Sequence, residues 1–269
     1  MTAAERVNYV WRVFATGLSF VTFGLGGLVL SVTLFPFTAL VSRDATTTRR
    51  RIQGLMHHTW RLFIWFMKSM GILTWELHGA ERLRQRGQLI VANHPSLLDV
   101  VFLISFIPEV DCVVKPAIFS NRFMRYPARW AGYIAEHTPE QLIEDCARTM
   151  KTGNSLLIFP EGTRTVPGRP ITMRRGAAQM AIASQTDLLP VTIHVSPPTL
   201  TKGLPWYRIP PRPFHVTVVA GEPIAIRPYL DQPASIAARH LTRDLERHFT
   251  ASLRHMSDAA HTAARPLAV

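Results

Sequence analysis

From Val13 to Ser42 the chain carries no charged side chain, and this run limits what it can fold into more than any other feature. At about 1.5 Å of rise per residue, the stretch up to Phe35, just before Pro36, is long enough to cross the hydrocarbon of a bilayer as a helix. A cleaved leader competes with that reading. However, the run exceeds an ordinary signal core, and the bulky residues around Pro36 form no small-residue cleavage site, so a retained membrane segment is expected. Arg43, Arg49, Arg50 and Arg51 follow the run, and Arg6 and Arg12 precede it. Positive charge at both ends fits either a true span or a segment that dips in and returns. Either way the main domain faces the cytoplasm, so an inner (cytoplasmic) membrane location is expected.

Composition supports contact with lipid. Of the 269 residues, 47% are hydrophobic and only 18% charged, which excludes a disordered or fibrous chain. The formal net charge of +12 draws the surface toward something anionic, either nucleic acid or an acidic leaflet. The basic residues sit among Trp, Phe and Met, without Lys-rich runs or a recognition module, so membrane phospholipid is the expected partner and nucleic acid is not. Cys112 and Cys146 are too few for a disulfide framework and lack metal-ligand spacing, and His57 and His58 have no partner cluster. No metal and no cofactor is expected.

The pattern divides the chain into a membrane segment with an interfacial helix at 1–75, a catalytic domain at 76–257 and a flexible tail at 258–269. Within the first part, Leu55 to Trp75 reads as a helix with His57, Arg61 and Lys68 on one stripe. It suits a membrane interface and a core position equally well. Beyond Glu76, short apolar runs alternate with longer helical ones. Leu89 to Ala92, Cys112 to Val114, Ser155 to Phe159, Leu189 to His194 and Val216 to Ala220 read as strands. Leu97 to Ile107, Ile118 to Ala131, Pro139 to Thr152, Gly176 to Ser184 and Ala234 to Met256 read as helices. This alternation predicts an α/β domain with a largely buried sheet. Six prolines make 197–213 an irregular excursion. Its Lys202, Trp206, Tyr207 and Arg208 suit either the headgroup level or a plain surface loop.

Chemistry at a hydroxyl group needs a base for its proton and a group to orient that base. The segment NHPSLLD, Asn93 to Asp99, supplies both. A strand ending at Ala92 delivers His94 to the sheet edge, Pro95 suits a helix start, and Asp99 about one turn inside that helix can hold the imidazole by its second nitrogen. Downstream, immediately after the strand SLLIF, comes Pro160-Glu161-Gly162-Thr163-Arg164. Gly162 permits a tight turn, Glu161 suits a hydroxyl or a nearby cation, and Arg164 can grip a phosphate through two parallel hydrogen bonds. A hydrolase using Ser96 is the competing enzyme class, but no G-x-S-x-G elbow is present.

NHPSLLD followed some sixty residues later by FPEGTR resembles the glycerolipid acyltransferase family, typified by 1-acyl-glycerol-3-phosphate acyltransferases. The resemblance runs from about Gly79 to Glu222 and includes Leu189, Pro190 and Val191, and Arg175, Gly176 and Ala177. It implies a mixed sheet flanked by helices, with N-terminal membrane-binding helices. By the same resemblance His94 is the base and Asp99 its partner. Asn93, Lys115, Glu161, Gly162, Thr163, Arg164 and Arg175 border the substrates, no covalent acyl-enzyme forms, and Ser96 is a helix-start residue. The donor it implies is acyl-CoA or an acyl-carrier protein, and the acceptor a lysolipid. One departure concerns the acceptor. Where the family's second motif carries a phosphate-binding arginine, this chain has Glu136 and His137. Arg125, Arg129 or His137 is left to replace it, or the acceptor is another lipid, such as a lyso-ornithine lipid or an aryl polyene-type pigment lipid. A non-catalytic membrane adaptor retaining the fold also remains open.

Overall fold

The computed structural model describes residues 2–135 and 138–263. Glu136, His137 and the last part of the tail therefore lie outside the described residues. Three helices come first: α1 (Ala3–Val32), α2 (Leu34–Leu40) and α3 (Ala45–Ser69). Thr2 and Glu5 form a capping box that starts α1. α1 ends at Thr33, where the missing N–H of Pro36 breaks the ladder and α2 begins.

The burial pattern of α1 is inverted relative to a water-facing helix. Arg12, Ala15, Thr16 and Ser19 face inward, while Val7, Trp11, Phe14, Val21, Leu25, Val29 and Val32 form an exposed stripe. It is the one candidate span among the described residues, and only 17% of its most apolar window is buried. α1 also lies along the domain. The Trp11 indole donates to Met70 O at 3.0 Å, Phe23 stacks on Trp60, and the Gly24 and Gly27 positions lie against Phe123 and Pro127. From Trp11 to Gly27 that is roughly 24 Å of helix flush with protein. Arg12 is buried and donates to the carbonyls of Pro210 and Pro211, so it is a structural tie and no flanking charge.

α3 stops at Ser69 rather than at Trp75. Gly71 takes a left-handed φ of 71°, and Ile72 N–H reaches back to Met67 O at 3.1 Å, closing the helix end. Leu73–His78 then forms strand β1, which the helical reading of Leu55 to Trp75 had absorbed. The expected stripe is split as well. His57 is buried, with its Nδ1 2.9 Å from Ile104 O, while Arg61 and Lys68 stay exposed. α3 buries Ile52, Met56, Trp60, Phe63 and Met67 in the same core as the β-sheet, so it is a core helix with Leu62 and Trp65 left outside.

The remaining elements are α4 (Ala80–Leu83), β2 (Leu89–Ala92), α5 (Asp99–Phe106), β3 (Val110–Val114), α6 (Pro116–Ser120), α7 (Arg125–Trp130), β4 (Ile134–Ala135), α8 (Pro139–Lys151), β5 (Ser155–Ile158), α9 (Gly176–Ser184), β6 (Leu188–Ser196), β7 (Phe214–Ala220) and α10 (Ala234–Ala263). The expected helix Ile118 to Ala131 is two short ones. Asn121 Oδ1 accepts from Phe123 N–H and Met124 N–H and turns the chain between them.

The strands form one sheet in the order β1-β7-β6-β2-β5-β3-β4, parallel throughout except for β6 against β7. Side chains alternate between two cores. Ile90 and Ala92 of β2 join the core with α3 and α5, and Leu89 and Val91 join the one with α8, α9 and α10. The short buried strands explain why apolar runs, rather than alternation, marked them in the sequence.

One buried carboxylate fastens α3 to this sheet. Asp111 at the start of β3 is fully buried and meets Arg49 Nη2 at 2.7 Å, Gln53 Nε2 at 2.7 Å and Thr149 Oγ1 at 2.9 Å. Removing it takes the shared acceptor from the half-buried Arg49 guanidinium and from the buried Gln53 and Thr149 side chains. Asp111→Ala is expected to lower unfolding free energy by about 3–5 kcal/mol, read by denaturant titration in mild detergent. A loss below about 1 kcal/mol would show that the network contributes little.

Candidate active site

β2 and β5 are parallel neighbours, so their carboxyl ends emerge side by side on one edge of the sheet, the edge where open α/β sheets place their ligands. His94 leaves β2 and Glu161 leaves β5. The two turns are bonded directly: His94 N–H donates to Glu161 Oε1 at 2.8 Å, and Thr165 N–H donates to His94 O at 2.7 Å. Thr165 Oγ1 also donates to Glu161 Oε1 at 2.8 Å, and the Phe159 ring lies 4.6 Å, centroid to centroid, from the imidazole.

His94 Nδ1 lies 2.7 Å from Asp99 Oδ2. The same oxygen accepts from Ser96 N–H at 2.7 Å, and Ser96 Oγ donates to Asp99 Oδ1 at 2.5 Å. A carboxylate so placed is an acceptor, so Nδ1 carries the proton and Nε2 keeps its lone pair. Asp99 is fully buried, and the His94 side chain is 20% exposed. The pair therefore joins a rigid anchored end to a ring that solvent or substrate reaches.

Helix α5 begins at Asp99 itself, so Asp99 is not one turn inside a helix started by Pro95. Ser96 sets up that start: its Oγ accepts from Leu98 N–H at 3.1 Å while Asp99 answers its backbone N–H. Its hydroxyl is buried and committed at both lone pair and proton, which leaves it no part as a nucleophile.

Asn93 is fully buried and bonds both ways to Ile193, its Nδ2 donating to Ile193 O at 2.8 Å and its Oδ1 accepting from Ile193 N–H at 2.7 Å. It locks β2 to β6 rather than facing a substrate. Gly162 holds a φ of 64° under the Arg174 side chain, where a Cβ would come within 2.6 Å of Nε, so the turn favours glycine. Thr163 is half-buried in the same turn. Arg164 gives Nη1 to Leu200 O at 2.8 Å and Thr201 O at 3.3 Å. Lys115 and Arg175 are exposed at the starts of α6 and α9. Lys115 leaves β3, two strands from β2, which places their strand axes roughly 10 Å apart.

Of the candidates for the absent second-motif arginine, Arg125 donates to the Tyr126 hydroxyl and lies over that ring at 4.4 Å. Arg129 lines a cavity of about 570 Å³ together with Arg49, Arg148 and Gly132 to Ala135. Thr165 and Leu200 are the site residues that sequence reading missed, and Phe159, the first residue of the FPEGTR segment, had been given no role of its own. Thr165 directly follows the second motif and was open to inference, whereas nothing in the sequence marks Leu200.

Burial pushes the Glu161 carboxyl up from its ordinary range, against the lowering pull of the bonds from His94 N–H and Thr165 Oγ1. The folded state thus holds this proton more tightly than the unfolded chain. The resulting contribution to stability is present at low pH and is lost as pH rises through the folded pKa. Glutamine keeps the accepting oxygen without the charge. Glu161→Gln is therefore expected to unfold no more easily than the parent at neutral pH, whereas Glu161→Ala, which orphans both donors, is expected to lose about 1–3 kcal/mol. Denaturant titrations of the two variants check this, and equal losses would count against it.

Comparison with known proteins gives a consistent result. Residues 74–194 match the family model described as Acyltransferase. A putative 1-acyl-sn-glycerol-3-phosphate acyltransferase of Caenorhabditis elegans is 30% identical over 138 residues, 48% of either chain. The 1-acyl-sn-glycerol-3-phosphate acyltransferase of Pseudomonas aeruginosa is 25% identical over 149 residues, 53% of this chain and 58% of that one. The chain spans about half the length of the curated relatives it matches. The crystal structure of a 1-acyl-sn-glycerophosphate acyltransferase from Thermotoga maritima superposes with a TM-score of 0.70 at 17% identity, covering 94% of this chain and 98% of that one, and shows a shared fold.

Proposed function

We propose that this chain, whose residues 74–194 match the Acyltransferase family model, is a glycerolipid acyltransferase that transfers a fatty acyl group from a thioester to the hydroxyl of a lysophospholipid such as 1-acyl-sn-glycerol-3-phosphate. The observation that carries the proposal is the single hydrogen-bonded unit formed by His94, Asp99 and Glu161 at the exits of two neighbouring strands.

In this reading His94 Nε2 takes the proton of the acceptor hydroxyl as its oxygen attacks the thioester carbonyl carbon. The tetrahedral adduct then collapses, the C–S bond breaks, and the departing thiolate recovers that proton from His94. Asp99 stabilises the imidazolium that exists between those two transfers. The thioester belongs to acyl-CoA or to an acyl-carrier protein. Gly162, Thr163, Arg164, Lys115 and Arg175 border the substrates, with Arg129 lining the cavity beside the second-motif segment. Asn93 acts by holding β2 against β6.

The membrane is the second partner in the proposal. An upright crossing would draw Arg12, the Pro210 and Pro211 carbonyls and the 121–124 turn into hydrocarbon, because all of them flank α1. α1 lying along one leaflet, on the cytoplasmic side of the inner membrane, avoids that cost and presents its exposed stripe to acyl chains.

The test is turnover by the full chain in detergent, given a labelled acyl-CoA or acyl-carrier protein and a panel of lysophospholipids that includes lyso-ornithine lipid. Diacyl product from a lysophospholipid supports the reading. Product from lyso-ornithine lipid alone would replace the acceptor, and no product from any pair would overturn the reading.

A further inference from the structure

The 197–213 excursion takes no part in the reaction as derived, yet it joins two distant parts of the molecule. At one end Leu200 O accepts from Leu97 N–H at 3.2 Å and from Arg164 Nη1 at 2.8 Å. Leu97 lies between His94 and Asp99, and Arg164 follows Glu161, so a single carbonyl ties both motifs together. Leu200 reaches that position at φ 52°, in the left-handed region that disfavours leucine. Its neighbours Thr199 and Thr201 are buried, which holds the strained residue in place.

Beyond Thr201 the chain runs outward. Leu204, Trp206 and Tyr207 are 44%, 43% and 58% exposed, with Lys202 and Arg208 beside them. The Trp206 ring lies over Gly17 of α1, where a Cβ would sit 3.2 Å from it, and its centroid is 5.6 Å from that of Phe20. Arg12 clasps the far end through the Pro210 and Pro211 carbonyls. Aromatic and cationic side chains set beside a helix with an apolar outward stripe have the composition of an interfacial anchor.

We propose that residues 202–208 form a second membrane contact, seated beside α1 in an anionic leaflet, and that this contact positions the His94 turn through the Leu200 carbonyl. The first half stands independently, and the second rests on the acyl-transfer reading. Membrane engagement of the arm then holds Leu97, and with it the spacing of His94 and Asp99, in working order.

The contact is tested by nitroxide depth measurement on the full chain in vesicles of phosphatidylglycerol and phosphatidylethanolamine. Cys112 and Cys146 are buried, and burial is the main cause that pushes both thiols up to about 12, so an introduced surface cysteine is labelled selectively. A label at Tyr207→Cys is expected to respond to oxygen rather than to a water-soluble nickel chelate, as at Phe14→Cys on the α1 stripe and unlike Arg243→Cys on α10. Behaviour like that of the Arg243 label overturns the contact.

The positioning is tested in the same vesicles with Gly17→Leu, which displaces the Trp206 ring while leaving the arm's own sequence unchanged, and with Trp206→Ala. On a water-soluble short-chain lysolipid, kcat is expected to fall roughly tenfold or more at unchanged thioester KM. Full kcat in both variants overturns the positioning role. A parent protein that makes no product fails the acyl-transfer reading instead, and the depth measurement, which needs no turnover, still decides the membrane contact.

Discussion

His94→Ala is expected to lower the rate of diacyl product formation by about 10³-fold or more, the upper range for loss of a general base. No other described group stands in its place. Ser96 Oγ is buried and already bonded to Asp99 and Leu98, and the Glu161 Oε1 oxygen is held by the His94 backbone and Thr165. The fold should survive the change, because the bonds from His94 to Glu161 and Thr165 run through its backbone, which alanine retains. Initial rates with a labelled thioester, taken beside a far-ultraviolet circular dichroism spectrum, check both halves. A variant that folds and keeps a tenth of the parent rate would remove His94 from the chemistry.

Asp99→Asn is expected to cost about 10²- to 10³-fold in kcat with little loss of fold. Asp99 Oδ2 accepts two N–H donors, from His94 and Ser96, whereas Oδ1 meets only the Ser96 hydroxyl, which can itself accept. An asparagine therefore settles with its carbonyl oxygen at the Oδ2 position and its amide toward Ser96 Oγ. The His94 tautomer is kept and the charge that stabilises the imidazolium is removed. Asp99→Ala differs, because it leaves three donors without an acceptor at a fully buried position and is expected to unfold more easily by several kcal/mol. Steady-state rates of the asparagine variant beside melting curves of both separate charge from support. Equal rates in parent and asparagine variant would show that Asp99 is structural only.

Much of the catalytic edge was legible because its logic is local. A short apolar strand, a histidine at its exit and an aspartate five residues on lie within one dozen residues, and β2 spans Leu89–Ala92 as its apolar run indicated. What failed was the placing of helix ends set by a single residue. Asn121 splits a helix that apolar spacing ran together, and Gly71 with Ile72 ends α3 before β1, because a side-chain acceptor or a left-handed glycine outweighs periodicity at a single residue. β4 spans only two residues, too short to leave a pattern.

The sequence by itself determined that an uncharged run long enough to cross a membrane as a helix lies near the start of the chain, that an α/β sheet follows, and which histidine and aspartate form a pair. Each of these follows from a continuous run or a close spacing, and such signals survive without knowledge of long-range contacts. Only the tertiary structure decided the roles of Arg12, Asn93, Asp111 and Leu200, whose partners in other elements lie between 36 and 199 positions away in sequence. Nothing local in the chain encodes those partners. A buried polar group takes whichever donor or acceptor the packing brings within reach, and the packing is a property of the whole sheet and its helices.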